Sequence, residues 1–192
     1  NLPDSPINVV IEDNLNKNIL YVGNDHGVYI SLDQGKTWEP FSKGLTSAAV
    51  HDLVIQTKEK HLLVGTHGRS IYLADIKKIQ DLSDEILQSS LYIYPLKNVK
   101  KSNSWGVQRS IWSQAYTPKL DITLFSSLST DYNISINDSN GNNVYKSEGK
   151  LDKGFNFISY NLMDNNEYLD KGLYKVLIIT DKDNLEKEFQ IQ

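Results

Sequence analysis

Residues Ser31-Leu32-Asp33-Gln34-Gly35-Lys36-Thr37-Trp38 read S-x-D-x-G-x-T-W and follow the alternating run Val28-Tyr29-Ile30. A strand that enters this octet must reverse at once. The Ser31 and Asp33 side chains can bond nearby backbone amides, and Gly35 permits a positive φ. Trp38 then opens a return strand with a large apolar anchor. The role predicted for Ser31, Asp33, Gly35, Thr37 and Trp38 is therefore structural, a fixed hairpin turn. Such a turn names an architecture and not an activity.

Outward from the octet, the first eighty residues repeat. Ile19-Leu20-Tyr21-Val22-Gly23-Asn24-Asp25-His26-Gly27-Val28-Tyr29-Ile30 is echoed by His61-Leu62-Leu63-Val64-Gly65-Thr66-His67-Gly68-Arg69-Ser70-Ile71-Tyr72-Leu73. The offset is 42 from Gly23 to Gly65 and 43 from Val28 to Ile71 after a one-residue slip. A period of roughly 40–45 residues suits a four-stranded propeller blade. On that reading Val9–Glu12, Leu20–Gly23, Val28–Leu32 and Trp38–Phe41 form one blade. Val50–Gln56, Leu62–Thr66 and Ile71–Ala74 supply most of a second. A plain β-sandwich that repeats once is the alternative. Propellers close rings of roughly 4–8 blades, so residues 1–76 are expected to be a partial propeller completed by upstream sequence or another chain.

Residues 77–118 read as a transition, with a helical turn over Asp81–Gln88 capped at Asp81 or Ser83 and a strand at Leu91-Tyr92-Ile93-Tyr94 stopped by Pro95. Lys97–Ser104 is polar and basic, a surface loop. Tyr92, Tyr94, Trp105, Trp112 and Tyr116 either line a carbohydrate-stacking surface or bury a domain junction. From residue 119 to 192 alternation resumes. Leu120–Phe125, Asn133–Asn137, Gly154–Tyr160, Gly172–Thr180 and Glu188–Ile191 are strands separated by turns such as Asp138–Asn143. That spacing predicts an immunoglobulin-like β-sandwich without its disulfide, since cysteine is absent. The fold class expected is all-β: last blades of a propeller, then an immunoglobulin-like sandwich.

With those residues in view, the chain resembles the C-terminal end of bacterial sortilin-like, Asp-box repeat proteins, a group labelled glycosyl hydrolases. The resemblance rests on the octet, on Val64–Asp75 as a closing blade, on Leu91–Pro95, and on the Ile134–Gly141, Gly154–Asn156 and Gly172–Tyr174 patterns of the tail. It implies a secreted or cell-surface protein whose propeller binds a polysaccharide or a protein. The function expected is a non-catalytic fragment of such a binding or scaffold protein. The alternative is the C-terminal part of an Asp-box glycoside hydrolase whose catalytic residues lie mostly on blades outside this chain.

In a propeller, the turns joining second and third strands share a face with the entry to the first strand. Asp25, His26, His51, Asp52, His67 and Arg69 would then gather on one face as ligand-binding candidates. Imidazole and carboxylate suit a divalent metal, Arg69 suits a carboxylate or sulfate, and a carboxylate pair suits glycosidic cleavage. Equally, these groups can bond backbone carbonyls and neighbouring acids to tie sheets together. No pair of ligands sits at a dedicated spacing such as H-x-x-x-H, so no metal, cofactor or catalytic residue is assigned.

The remaining composition excludes classes of function. A formal charge of −4, with Arg69 and Arg109 the only arginines, offers no phosphate-tracking surface for nucleic acid. No apolar run approaches the roughly 20 residues of a membrane-spanning helix. Two arginines also cannot build the cluster that a sialidase places on its substrate carboxylate.

Overall fold

Period-two alternation turns the first part of the chain into antiparallel meanders. In the computed structural model, which describes residues 1–41, 44–45 and 47–192, strands β1 (Ile7–Glu12), β2 (Leu20–Asn24), β3 (Gly27–Ser31) and β4 (Glu39–Pro40) form one sheet in that order. Strands β5 (Val50–Gln56), β6 (His61–Thr66) and β7 (Ile71–Asp75) form a second. Tyr21, Val22, Val28 and Ile30 of the first sheet are buried, as are Val50, Leu53, Leu62 and Val64 of the second. Gly23 sets how closely the two can approach. A Cβ there would lie 2.5 Å from Val50 Cγ1 and 2.8 Å from Val9 Cγ1.

One buried carboxylate fastens the end of this unit to its beginning. Asp13 accepts the backbone N–H of Leu15 (2.8 Å) and of Asn16 (3.0 Å). The Gln80 amide donates to both of its oxygens, at 3.1 and 2.9 Å. Gln80 closes the short helix α1 (Lys77–Gln80), whose turn is sealed by buried Ile76, Ile79 and Leu82. Beside Asp13, the Tyr21 phenol is pushed well above its ordinary pKa by burial and by the carboxylate.

The chain divides into two units, Asn1–Leu82 and Ser83–Gln192. In the second, helix α2 (Asp84–Gln88) starts at Ser83, whose hydroxyl accepts Ile86 N–H. Strands β8 (Leu91–Ile93), β9 (Lys119–Ser126) and β12 (Gly154–Asn161) make one sheet, ordered β12-β9-β8. Strands β10 (Thr130–Asn137), β11 (Asn143–Leu151), β15 (Gly172–Ile179) and β16 (Asn184–Ile191) make the other, ordered β11-β10-β15-β16. A two-residue pair, β13 (Met163–Asp164) and β14 (Glu167–Tyr168), turns through Asn165 and Asn166, both at positive φ. Leu120, Ile122 and Leu124 from one sheet share a single core with Ile134, Ile136, Val176, Ile178 and Phe189 from the other. This is a two-sheet sandwich. Its β16 edge is covered by residues 98–101, where Val99 N–H reaches Gln190 O at 2.9 Å and Gln192 N–H reaches Val99 O at 2.9 Å.

The all-β expectation describes this chain; the propeller blades expected for residues 1–76 are not shown. Among the described residues the first unit holds two small antiparallel sheets, of four and three strands, and no ring of blades closes. The physical reason is that alternation and turn chemistry are local instructions for a meander. They do not encode how many sheets assemble or around what axis. Residues 77–118 also divide: 77–82 belong to the first unit, and from Ser83 onward the chain belongs to the second, where Leu91–Ile93 pairs with β9.

The Gly23 contact makes the first prediction. Gly23→Ala should destabilise the chain by about 1–3 kcal/mol through overpacking, measured by urea denaturation, and Val50→Ala in the same background should recover part of the loss.

Candidate functional site

Both hairpin turns of the repeat are built by a polar side chain that replaces missing backbone partners. In the first, buried Asn24 accepts from His26 N–H (2.8 Å) and Gly27 N–H (3.1 Å) through Oδ1. In the second, Thr66 Oγ1 accepts Ser70 N–H at 2.9 Å and donates to Ser70 O at 2.5 Å. Gly68, at φ +70°, lets the chain turn there.

The six ligand candidates divide among different local roles. Asp25 accepts from the Asn8 amide at 2.9 Å, and His26 is exposed beside it. His51 and His67 come together: their rings stack with centroids 5.2 Å apart and planes at 29°. His67 N–H also bonds Ala49 O at 2.8 Å, fixing the turn against the start of β5. Asp52 turns back on its own strand and accepts Leu53 N–H at 2.9 Å. Arg69 is exposed, and among the described residues it has no carboxylate within ion-pair distance. No group of three or more metal-ligating side chains occurs among the described residues. The turns thus organise an imidazole pair and a lone guanidinium, each exposed, rather than an acid–base couple.

The octet is bonded to itself. Ser31 Oγ donates to Asp33 Oδ1 at 2.8 Å and accepts Gly35 N–H at 2.8 Å. Asp33 receives Thr37 N–H at 2.8 Å and the Thr37 hydroxyl at 2.7 Å. The Trp38 indole donates to Gly35 O at 3.1 Å, with Gly35 at φ +87° and Gln34 also at positive φ. The Ser31, Asp33 and Thr37 side chains and the Trp38 indole are thus bonded within the turn itself.

A different segment encloses an open groove. Residues 100–119 leave the β16 edge, make an irregular excursion and return as β9. Gly106 N–H bonds Tyr116 O at 2.8 Å and Tyr116 N–H bonds Val107 O at 3.2 Å, closing the excursion on itself. Trp105 anchors it on Tyr168, ring centroids 5.8 Å apart. Gly106 must be glycine: φ is +77° and a Cβ would lie 2.9 Å from the Tyr168 ring. The result is an open groove of about 780 Å³ whose walls include Lys100, Arg109 and Lys119, Trp105 and Tyr116, and the amides of Gln114 and Asn161. Among the described residues, no Asp, Glu or His lines it. Beyond its wall, at the crest of the Ser110–Ser113 turn, Trp112 is 91 % exposed and Ile111 82 % exposed.

The aromatic residues singled out from the sequence therefore separate. Tyr92 and Tyr94 pack edge to face at 5.0 Å, with Tyr94 against Phe155 and Phe155 against Phe125 in the sandwich. Trp105 is an anchor, while Trp112 and Tyr116 face solvent. The cationic members of the groove were not singled out as a site. Lys100 and Lys119 lie at opposite ends of the excursion, and only its closure brings them to one groove with Arg109.

No protein-family model matches this chain, and no curated protein matches it. Among solved structures it is similar to the ASH / PapD-like domain of human CEP192 (PapD-like domain 7), at 12 % identity and a TM-score of 0.31 over 55 % of this chain and 86 % of that one. The resemblance to sortilin-like, Asp-box repeat proteins is accordingly corrected. No family model matches the chain, and among the described residues the two small sheets of the first unit close no ring. The octet and repeat that suggested that family are short turn motifs whose chemistry serves any tight β-hairpin.

The octet's electrostatics yield a pH prediction. Burial raises the Asp33 pKa, but hydrogen bonds from Thr37, Ser31 and the Lys36 backbone outweigh it and hold the carboxyl below its ordinary value. A depressed carboxylate contributes stability above its unfolded pKa, near ~4, and loses it as pH falls through the lower folded-state value. Asp33→Ala should cost about 1 kcal/mol at pH 7, and the gap to the parent chain should narrow below about pH 4 in thermal melts across pH.

Proposed function

We propose that this chain is a non-catalytic binding module whose sandwich unit grips an acidic polysaccharide in the groove formed by residues 100–119. The observation that carries this reading is a groove walled by Lys100, Arg109 and Lys119 with no carboxylate among its lining residues, on a protein of net charge −4. Cations gathered without acids on an acidic protein leave a local positive field suited to an anionic ligand. Arg109 presents a planar fork that matches a carboxylate or sulfate. Tyr116 and the protruding Trp112 add flat apolar faces on which a sugar ring can lie, and the Gln114 and Asn161 amides suit its hydroxyls.

The same chemistry argues against turnover at this groove. Glycosidic cleavage takes an acid and a base, supplied by paired carboxylates, and none lines the groove. Binding and attachment are what these side chains can do.

Affinity electrophoresis through gels containing polygalacturonate, heparin or dextran tests the reading. The two acidic polymers should retard the chain and neutral dextran should not. Trp112→Ala and Arg109→Ala should each weaken retardation about tenfold, the scale of one stacking or bidentate contact. Absence of retardation by both acidic polymers, or retardation unchanged in both variants, overturns it.

A further inference from the structure

We infer that β7 is a dimerisation edge, pairing antiparallel with β7 of a second copy of this chain about a two-fold axis at Tyr72. Three other edges are protected in recognisable ways. β4 carries Glu39 and Pro40, β11 carries Lys146, Glu148 and Lys150, and β16 is covered by residues 98–101. β7 reads Ile71-Tyr72-Leu73-Ala74-Asp75, with no proline and no charge before its final residue. Ile71 is 73 % exposed and Leu73 62 % exposed, large apolar groups on an edge strand.

The backbone register says which groups face outward. Thr66 N–H bonds Ser70 O, and the register continues as Gly65 opposite Ile71, Val64 opposite Tyr72 and Leu63 opposite Leu73. In an antiparallel ladder, bonded and non-bonded pairs alternate. Tyr72 therefore directs its backbone to β6, while Ile71 and Leu73 direct theirs away from it. On the homologous strand of the repeat, the corresponding outward carbonyl, Val28 O, is taken by Phe41 N–H at 2.8 Å. β7 has the same geometry with no further strand paired to it among the described residues, its Ile71 O accepting the Ser70 hydroxyl at 3.5 Å.

Charge selects a second copy of the chain as the occupant. Self-pairing about Tyr72 sets Ile71 against Leu73 of the second copy, a pair able to exchange both backbone bonds, and sets Arg69 toward Asp75 of the second copy. By symmetry the ion pair forms at both ends. Arg69 is the only arginine of its unit and has no carboxylate partner in its own chain among the described residues. Asp75 is exposed, with Oδ1 accepting Lys77 N–H at 2.9 Å. A two-fold axis makes one patch complementary to itself, which this strand satisfies in backbone, apolar groups and charge together.

Sedimentation equilibrium on the full chain, with far-UV circular dichroism on every variant, tests the pairing. The parent chain should approach twice its 21.8 kDa mass with rising concentration. Arg69→Glu sets like charges against each other at both ends and should raise the dimer Kd at least tenfold. The double variant R69E/D75R restores opposite charges and should return the Kd to near the parent value, which a merely misfolded single variant would not do. A parent chain monomeric at all concentrations overturns the inference, and so does a dimer whose Kd Arg69→Glu leaves unchanged.

Discussion

Each described sheet in this chain is built from antiparallel neighbours, so each ends in strands whose outer N–H and C=O groups need a partner. The way those edges are met shapes the molecule. Pro40 removes a donor from β4, charged residues line β11, and residues 98–101 run beside β16 and bond its last residues. That last device also launches the excursion that forms the groove. The polar stretch between Pro95 and Ser104 is therefore not idle linker: it seals an edge first and begins a wall of the groove afterwards.

Inside the first unit, tight approach and a buried charge act together. Gly23 admits Val50 and Val9 at distances no side chain would permit, so the two sheets can share one core. Asp13 then gathers backbone amides of its own turn and the Gln80 side chain. A carboxylate so placed is tolerated because donors surround it; removing them would leave an uncompensated buried charge, costing roughly 3–5 kcal/mol. Its partner lies 67 residues away in sequence, so the contact also holds the short α1 turn, which four residues could not sustain alone.

The histidines and the groove teach opposite lessons about sites. His51, at the start of β5, and His67, in the turn after β6, are grouped on one expected face by the sequence, and their rings do meet. Yet Asp25 is bonded to Asn8 and Asp52 to its own strand, so no acid completes them. The groove shows little in sequence. Its three cations span residues 100 to 119 within a segment lacking periodicity, and their common orientation depends on Gly106 folding the chain against Tyr168.

What the sequence determined was local. Alternation marked most strands from Ile7 to Ile191, though not the length of β11 nor the short β13 and β14; Asp33 and Gly35 fixed their turn, and Ser83 fixed the start of α2, because each depends on side chains within a few residues. The same repeat misdirected the larger reading toward a propeller, since a hairpin motif holds no record of how sheets assemble. Tertiary structure decided the rest: Asp13 with Gln80, Val50 over Gly23, Trp105 on Tyr168, and the cations of one groove. Those contacts join residues tens of positions apart, and their energy comes from burial and shape, which exist only once the chain has closed on itself.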